Sequence, residues 1–325
     1  MAINSKLTIA IIGAGGIGCY YGARLQDQGH QVKLVARGVH LNVLQQSGLI
    51  LVHPEFSYQG QVDACSLNDF VKHTQPLDFD VILLCVKATA TKRIANSLKN
   101  WFERSKQETA ILSLQNGIDN EFQLKDVLGE NCIIGGLALR IGGHITLPGK
   151  IEATGIAQII MGAWPNNESP AYKAYRKQLS QFETTFNKAG IPTQLVPDIK
   201  RELWRKLVIN NGVNPLSALT GLDTRTLSHH PHFGKIVLGL MQEAAQAAIA
   251  DNVQLTDDDA QEMYQLIRDF DAIKTSMLVD MEKGKTLELD AICGAVILRS
   301  KELGIDAPYT EKIYTLLKEK IGKSF

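Results

Sequence analysis

Residues Leu7 to Leu25 read LTIAIIGAGGIGCYYGARL, and this stretch decides the fold. Leu7 to Ile12 make an unbroken apolar run, the pattern of a strand buried on both faces of a parallel sheet. The run enters G-x-G-x-x-G, so strand, tight turn and helix follow in order. Gly13 is expected to make the sharp turn, Gly15 to let a pyrophosphate approach the backbone, and Gly18 to let the helix pack closely on its strand. Ala14, Gly16 and Ile17 complete the loop, where free N–H groups and the positive end of the helix dipole favour phosphate. The glycine pattern alone is a weak signal. Its place between a buried-type strand and a helical pattern supplies the context it needs, and a tight βα turn in another doubly wound fold is the alternative.

Around this stretch, the chain has room for two domains at 325 residues, 45% of them hydrophobic. Lys plus Arg equals Asp plus Glu at 34 each, so no net field draws the protein to nucleic acid or to an anionic membrane. No apolar run approaches the roughly 20 residues of a membrane span, and MAINSK lacks the apolar core of a signal peptide. A cytoplasmic protein is expected. The five cysteines are scattered, with no CxxC pair, so neither a disulfide nor a metal site is expected. His229, His230 and His232 read as a polar loop before a helix, since Pro231 breaks their spacing and no Cys or carboxylate stands beside them.

Downstream of the first helix, Gln31 to Ala36 gives a second strand that ends at Arg37. Dinucleotide sites that take NAD place an acid near this point for the ribose hydroxyls, whereas an Arg accommodates the extra phosphate of NADP. No Asp or Glu occurs between Asp27 and Glu55, while His30, Lys33, Arg37 and His40 are present. NADP(H) is therefore favoured, with a merely strand-capping Arg37 as the other reading.

Two further buried-type strands follow, Leu77 to Val86 and Thr109 to Leu114. The first runs into Lys87 and the second into Gln115-Asn116-Gly117. Both endings fall on the rim where α/β sheets bind ligands, so Lys87 and Asn116 are candidates. A solvated lysine at a helix start and a plain Asn-Gly turn are the other readings. Ile133 to Ile141 and Ile145 to Gly162 read as the far edge of the sheet with antiparallel hairpins, and Pro197 marks a boundary. From Asp198 the texture is helical throughout. The expected architecture is an α/β Rossmann-type dinucleotide-binding domain over residues 1–197 and an all-α substrate and catalytic domain over 198–325.

The first helix of that second part, IKRELWRKLVINNGVNPLSAL, puts Lys206 and Asn210 four apart on one face. Asn214 falls at the next turn, where Pro215 is expected to end the helix. An ammonium that can donate a proton to a developing alkoxide, beside amides that can orient oxygens, suits a carbonyl substrate. A wet amphipathic face with no chemistry is equally consistent with the spacing.

Taken together, GAGGIG at Gly13 to Gly18, VKA at Val86 to Ala88, QNG at Gln115 to Gly117, W-x-K-L-x-x-N-x-x-x-N-P at Trp204 to Pro215, TSML-x-D at Thr275 to Asp280 and E-L-D at Glu288 to Asp290 resemble the ketopantoate reductase (2-dehydropantoate 2-reductase) family over essentially the whole chain. The resemblance implies reduction of 2-dehydropantoate by NADPH to pantoate, for pantothenate and coenzyme A biosynthesis. It implies that Lys206 is the general acid and that Glu288 holds it. It also implies that Asn210, Asn214, Ser276 and Lys87 meet the substrate, with Ser276 on its carboxylate. The cofactor would be met by Gly13, Ala14, Gly15, Gly16, Ile17, Gly18, Arg37, Lys87, Asn116 and Glu288, with Arg37 at the 2′-phosphate. One position departs. Where the family often has an asparagine three residues before the serine, this chain has Ile273. A reductase of another branched 2-keto acid is therefore an alternative, as is a non-catalytic NADP-binding redox sensor. The expected partner is a small 2-keto acid, and the protein is expected to be a monomer or homodimer.

Overall fold

A computed structural model describes residues 6–105 and 109–322, so most of the MAINSK stretch lies outside the described residues. The chain forms two compact units, Met1–Gln115 with Asn120–Ile199, and Asn116–Asp119 with Lys200–Phe325.

The first unit runs β1 (Thr8–Ile12), α1 (Gly16–Asp27), β2 (Gln31–Val35), α2 (Gly38–Ser47), β3 (Leu49–His53), β4 (Phe56–Gly60), β5 (Asp63–Cys65), α3 (Leu67–His73), β6 (Val81–Leu84), α4 (Thr91–Phe102) and β7 (Ala110–Ser113). It continues with α5 (Asn120–Leu128), β8 (Ile133–Leu139), β9 (Gly142–Leu147), β10 (Lys150–Thr154), β11 (Gln158–Ala163), α6 (Pro170–Lys188) and β12 (Thr193–Leu195). The main sheet has the order β12-β11-β8-β7-β6-β1-β2-β5. It is parallel from β5 to β8, whereas β11 runs antiparallel to β8. Strands β6 and β7 are buried at every residue, which is why they read as continuous apolar runs with no alternation. Strand order reverses at β1, which pairs with β2 on one side and β6 on the other. The connections leave their carboxyl ends in opposite directions, and that divergence opens the crevice where such sheets take ligands.

The expectation of a single sheet edge from Ile133 to Gly162 is corrected by β9 and β10. They leave the main sheet and join β3 and β4 in a separate four-stranded sheet, ordered β4-β3-β10-β9. The physical reason is pairing over long range: Lys150, Ile151 and Glu152 align with Ile50, Leu51 and Val52, burying Leu51 and Ile151 on one face.

The second unit contains α7 (Ile199–Thr220), α8 (Thr224–His229), α9 (Phe233–Ala247), α10 (Asp257–Asp269), α11 (Ser276–Glu282), α12 (Ala295–Leu303) and α13 (Pro308–Gly322). A π-helical turn, Asp290–Gly294, leads into α12. Helix α7 corrects a second expectation, because it passes through Pro215 and ends five residues later. Proline removes one amide donor and crowds the carbonyl of Asn211, at a cost of about 3 kcal/mol. Burial of Val213, Leu216 and Ala218, each no more than 3% exposed, keeps the helix going. The stop comes at Gly221, with φ of +77° and its N–H on the Ser217 carbonyl at 2.8 Å.

Candidate active site

In the first unit the site begins at the carboxyl end of β1. Gly13 has φ of +104°, and a Cβ there would stand 2.7 Å from the backbone of Cys85 and Val86, so only glycine lets this turn pass the end of β6. The N–H groups of Gly13 and Ala14 both donate to the Val35 carbonyl, at 3.1 and 3.0 Å. The loop is thus tied to the end of β2, two residues before Arg37. A Cβ on Gly18 would lie 2.3 Å from the Gly13 carbonyl oxygen, which explains the close seat of α1 on its strand.

Gly15 differs from its neighbours, for a Cβ there would meet no heavy atom within 4 Å. Its φ of −85° is open to any residue, so no packing within the chain calls for glycine. Gly15 is also the cap residue of α1 and offers no side chain to the first-turn N–H groups. A bare backbone facing open space at a helix N-terminus fits a pyrophosphate. Gly16 has a different reason to be glycine: its Cβ would fall 2.1 Å from the backbone of Gly143 in β9. Ala14 is buried and Ile17 is half-buried against the core.

Arg37 is exposed at the N-terminus of α2. Three residues on, His40 is held in place, its Nδ1 accepting from the Gly149 N–H at 3.0 Å. Burial lowers its pKa, against the pull of the Ala14 carbonyl. Lys87 is half-buried just past β6, at the start of the short turn before α4. Sequence reasoning missed what sets its backbone. Gln115, buried at the end of β7, donates through Nε2 to the Val86 carbonyl at 3.0 Å and to Thr91 Oγ1 at 2.8 Å. Thr91 in turn donates to Asn120 Oδ1 at 2.8 Å. The signal was present in QNG, where the glutamine precedes the residue singled out.

In the second unit Lys206, Asn210 and Asn214 share one stripe of α7 by their spacing. Lys206 and Asn210 are half-buried and Asn214 is buried. Leu203 and Leu207 are buried beside this stripe and Trp204 and Val208 on the far side of the helix, while Arg201 and Arg205 reach Asp259 of α10 at 3.0 and 3.3 Å. Asn211, which the sequence did not mark, is fully buried and donates through Nδ2 to the Leu240 carbonyl and Thr310 Oγ1. It fastens α7 to α9 and α13.

Glu288 stands just before the π-helical turn, a departure from α geometry that recurs at functional sites. Its Oε2 accepts from Asn116 Nδ2 at 3.0 Å, so two motif residues 172 positions apart meet. Gly117 makes this approach feasible: with φ of +91°, it sits where a Cβ would be 3.0 Å from the Ala291 carbonyl oxygen. Ser276 is exposed at the first position of α11, beside the cap residue Thr275, whose Oγ1 accepts from the Leu278 N–H at 3.2 Å. Ile273 is 47% exposed, its backbone fixed by two hydrogen bonds to Thr224. A cation, three amides and a carboxylate are therefore carried by a single unit, while the glycine loop, Arg37 and Lys87 lie in the other.

Comparison with known proteins gives a consistent outcome. The family model described as "Ketopantoate reductase PanE/ApbA" matches residues 9–166, and "Ketopantoate reductase PanE/ApbA C terminal" matches residues 198–321. A 2-dehydropantoate 2-reductase of Pyrococcus horikoshii is 26% identical over 97% of this chain and 97% of its own length. That of Nostoc sp. is 28% identical over 97% of this chain and 95% of its own. The crystal structure of 2-dehydropantoate 2-reductase from Methylococcus capsulatus superposes with a TM-score of 0.82 at 28% identity, covering 96% of each chain. A D-mandelate dehydrogenase structure shares the fold at 20% identity, with a TM-score of 0.87 over 98% of this chain and 99% of its own.

Proposed function

The chain belongs to the ketopantoate reductase family, and on that premise we propose that it reduces the ketone of 2-dehydropantoate to pantoate with NADPH, a step toward pantothenate and coenzyme A. NADPH, when bound, supplies the hydride. Residues 1–197 hold the cofactor and residues 198–325 carry substrate and catalysis, with Asn116 acting beside Glu288. Hydride addition to the ketone carbon leaves negative charge on oxygen, and Lys206 meets it by donating a proton from Nζ. Glu288 holds the lysine. Asn210 and Asn214 orient substrate oxygens, Ser276 anchors the carboxylate, and Lys87 meets substrate and cofactor. The bare face of Gly15 and the first-turn N–H groups of α1 take the pyrophosphate, and Arg37 takes the 2′-phosphate.

The observation that carries this reading is the 3.0 Å hydrogen bond from Asn116 to Glu288. It joins two of the family's separate sequence motifs into one cluster. The protein works in the cytoplasm on a small 2-keto acid, as a monomer or homodimer and without nucleic acid. No helix among the described residues is long and apolar enough to cross a membrane.

The test is NADPH oxidation measured across a panel of 2-keto acids, with 2-dehydropantoate expected to give the highest kcat/KM. Absence of turnover with every keto acid, despite tight NADPH binding, would overturn the reading in favour of a redox sensor. A second reading rests on Ile273, an exposed apolar side chain where the family often has an asparagine. It is a reductase of another branched 2-keto acid, and a different best substrate in the same panel would establish it.

A further inference from the structure

Arg299 lies in α12 with its side chain only 8% exposed. Its Nη2 is 2.5 Å from Asp119 Oδ1 and 3.5 Å from Asp251 Oδ2. The same Asp251 Oδ2 accepts from the indole Nε1 of Trp204 at 3.1 Å. Lys200, at the start of α7, donates to the Asp251 carbonyl. A buried guanidinium thus stands between two carboxylates, and each carboxylate leads to a different part of the candidate site. Asp119 closes the four-residue segment that begins with Asn116. Trp204 is two residues from Lys206 on α7. Arg299 itself continues from the π-helical turn that follows Glu288.

We infer that Arg299 is a positioning residue: through Asp119 and Asp251 it fixes the mutual register of the three segments that carry Asn116, Lys206 and Glu288. The inference rests on the proposed function for what those three residues do, though not for the network itself. Arginine suits the task because Nη2 meets both carboxylates from a rigid guanidinium plane that stays charged when buried, whereas a lysine ammonium is a freely rotating point charge on a flexible stem. Burial alone disfavours the charged form, but the Asp119 bond, with the charges of Asp119, Asp251 and Glu302, more than offsets it and raises the pKa. An interior charge anchored on both sides holds its partners to one geometry, and loss of either carboxylate releases one segment.

The experiment uses the full chain with Arg299→Lys, Arg299→Met and Asp119→Asn. Steady-state kinetics with NADPH and 2-dehydropantoate should show kcat lower by about ten- to a hundredfold in Asp119→Asn, the scale of a slight misplacement of reacting groups. Arg299→Lys should recover thermal stability relative to Arg299→Met but not kcat. In an Asn116→Ala background, Asp119→Asn should cost several-fold less in kcat, because its route to the chemistry is already cut. A second readout is independent of turnover. Amide hydrogen exchange at residues 116–119 should quicken in every variant, and the Trp204 indole N–H resonance should move in Asp119→Asn although that residue does not touch it. If the wild type reduces no keto acid while exchange and resonance respond as stated, the functional reading fails and the positioning network stands. If the wild type is active but Arg299→Lys and Asp119→Asn keep kcat within about twofold, or the Trp204 signal is unmoved, the network is a stability feature alone and the inference is overturned.

Discussion

The loop of Gly13 to Gly18 and the stripe of Lys206, Asn210 and Asn214 build their candidate sites by opposite means. The loop works by leaving side chains out. Gly13, Gly16 and Gly18 are bare because protein backbone occupies the space, and Gly15 is bare toward open space. The helical unit works by putting long polar side chains in and fixing them from afar, as Asn116 fixes Glu288 and Asp119 holds Arg299. A site made of absent side chains is written in consecutive residues. A site made of held side chains is written across the whole chain.

The sharpest way to break this comparison lies on α7. Lys206→Ala should lower kcat by about 10² to 10⁴, the usual range for general acid catalysis, with NADPH affinity and thermal stability nearly unchanged. Near-normal kcat at saturating substrate would remove Lys206 as the donor and turn attention to Lys87. Steady-state kinetics beside cofactor titration decides it.

The glycines come next, and they should separate from one another. Gly18→Ala and Gly16→Ala force a Cβ into backbone atoms at 2.3 and 2.1 Å, so each should destabilise the fold by about 1–3 kcal/mol or more. Gly15→Ala has room and an ordinary φ, so it should leave the unfolding midpoint in place while weakening NADPH binding. Denaturant titration paired with NADPH fluorescence reads both effects. Equal loss of stability in all three would erase the distinction drawn within the loop.

Arg37→Ala should lose about tenfold in NADPH affinity and little in NADH affinity, because charge-assisted bonds to a phosphate are worth roughly 1.5 to 3 kcal/mol each. Equal loss with both cofactors would sink the assignment. The smallest effect is on pH. Burial lowers the His40 pKa below its ordinary value of 6.5, with the Ala14 carbonyl opposing. His30 shifts the same way, through burial and Lys6, with Asp80 opposing. The unfolded chain therefore binds more protons in mild acid. Stability should be unaffected above that ordinary value and fall as pH drops through it toward the folded pKa. Thermal melts of wild type and His40→Asn between about pH 5 and 8 should show a shallower slope in the variant.

Much of the fold was legible because β1, β6 and β7 carry their burial in consecutive residues. The second sheet was not, since pairing of β10 with β3 depends on residues about a hundred positions away. The continuation of α7 past Pro215 was hidden for a related reason. A proline's local cost is visible in sequence, and the burial that offsets it is not. In the site, the loop glycines and the lysine stripe were readable from spacing. Gln115, Asn211 and Arg299 were not, because each matters through a partner that only the folded chain brings near.

Four residues, Asn116–Asp119, group with the helical unit although the chain on either side of them belongs to the sheet. The helical part is therefore not a self-contained cassette. A gene fragment beginning at residue 198 would encode Glu288 without its amide and leave the Arg299 charge facing an absent carboxylate. A cut at the boundary would thus part the helical unit from four residues that its own side chains hold.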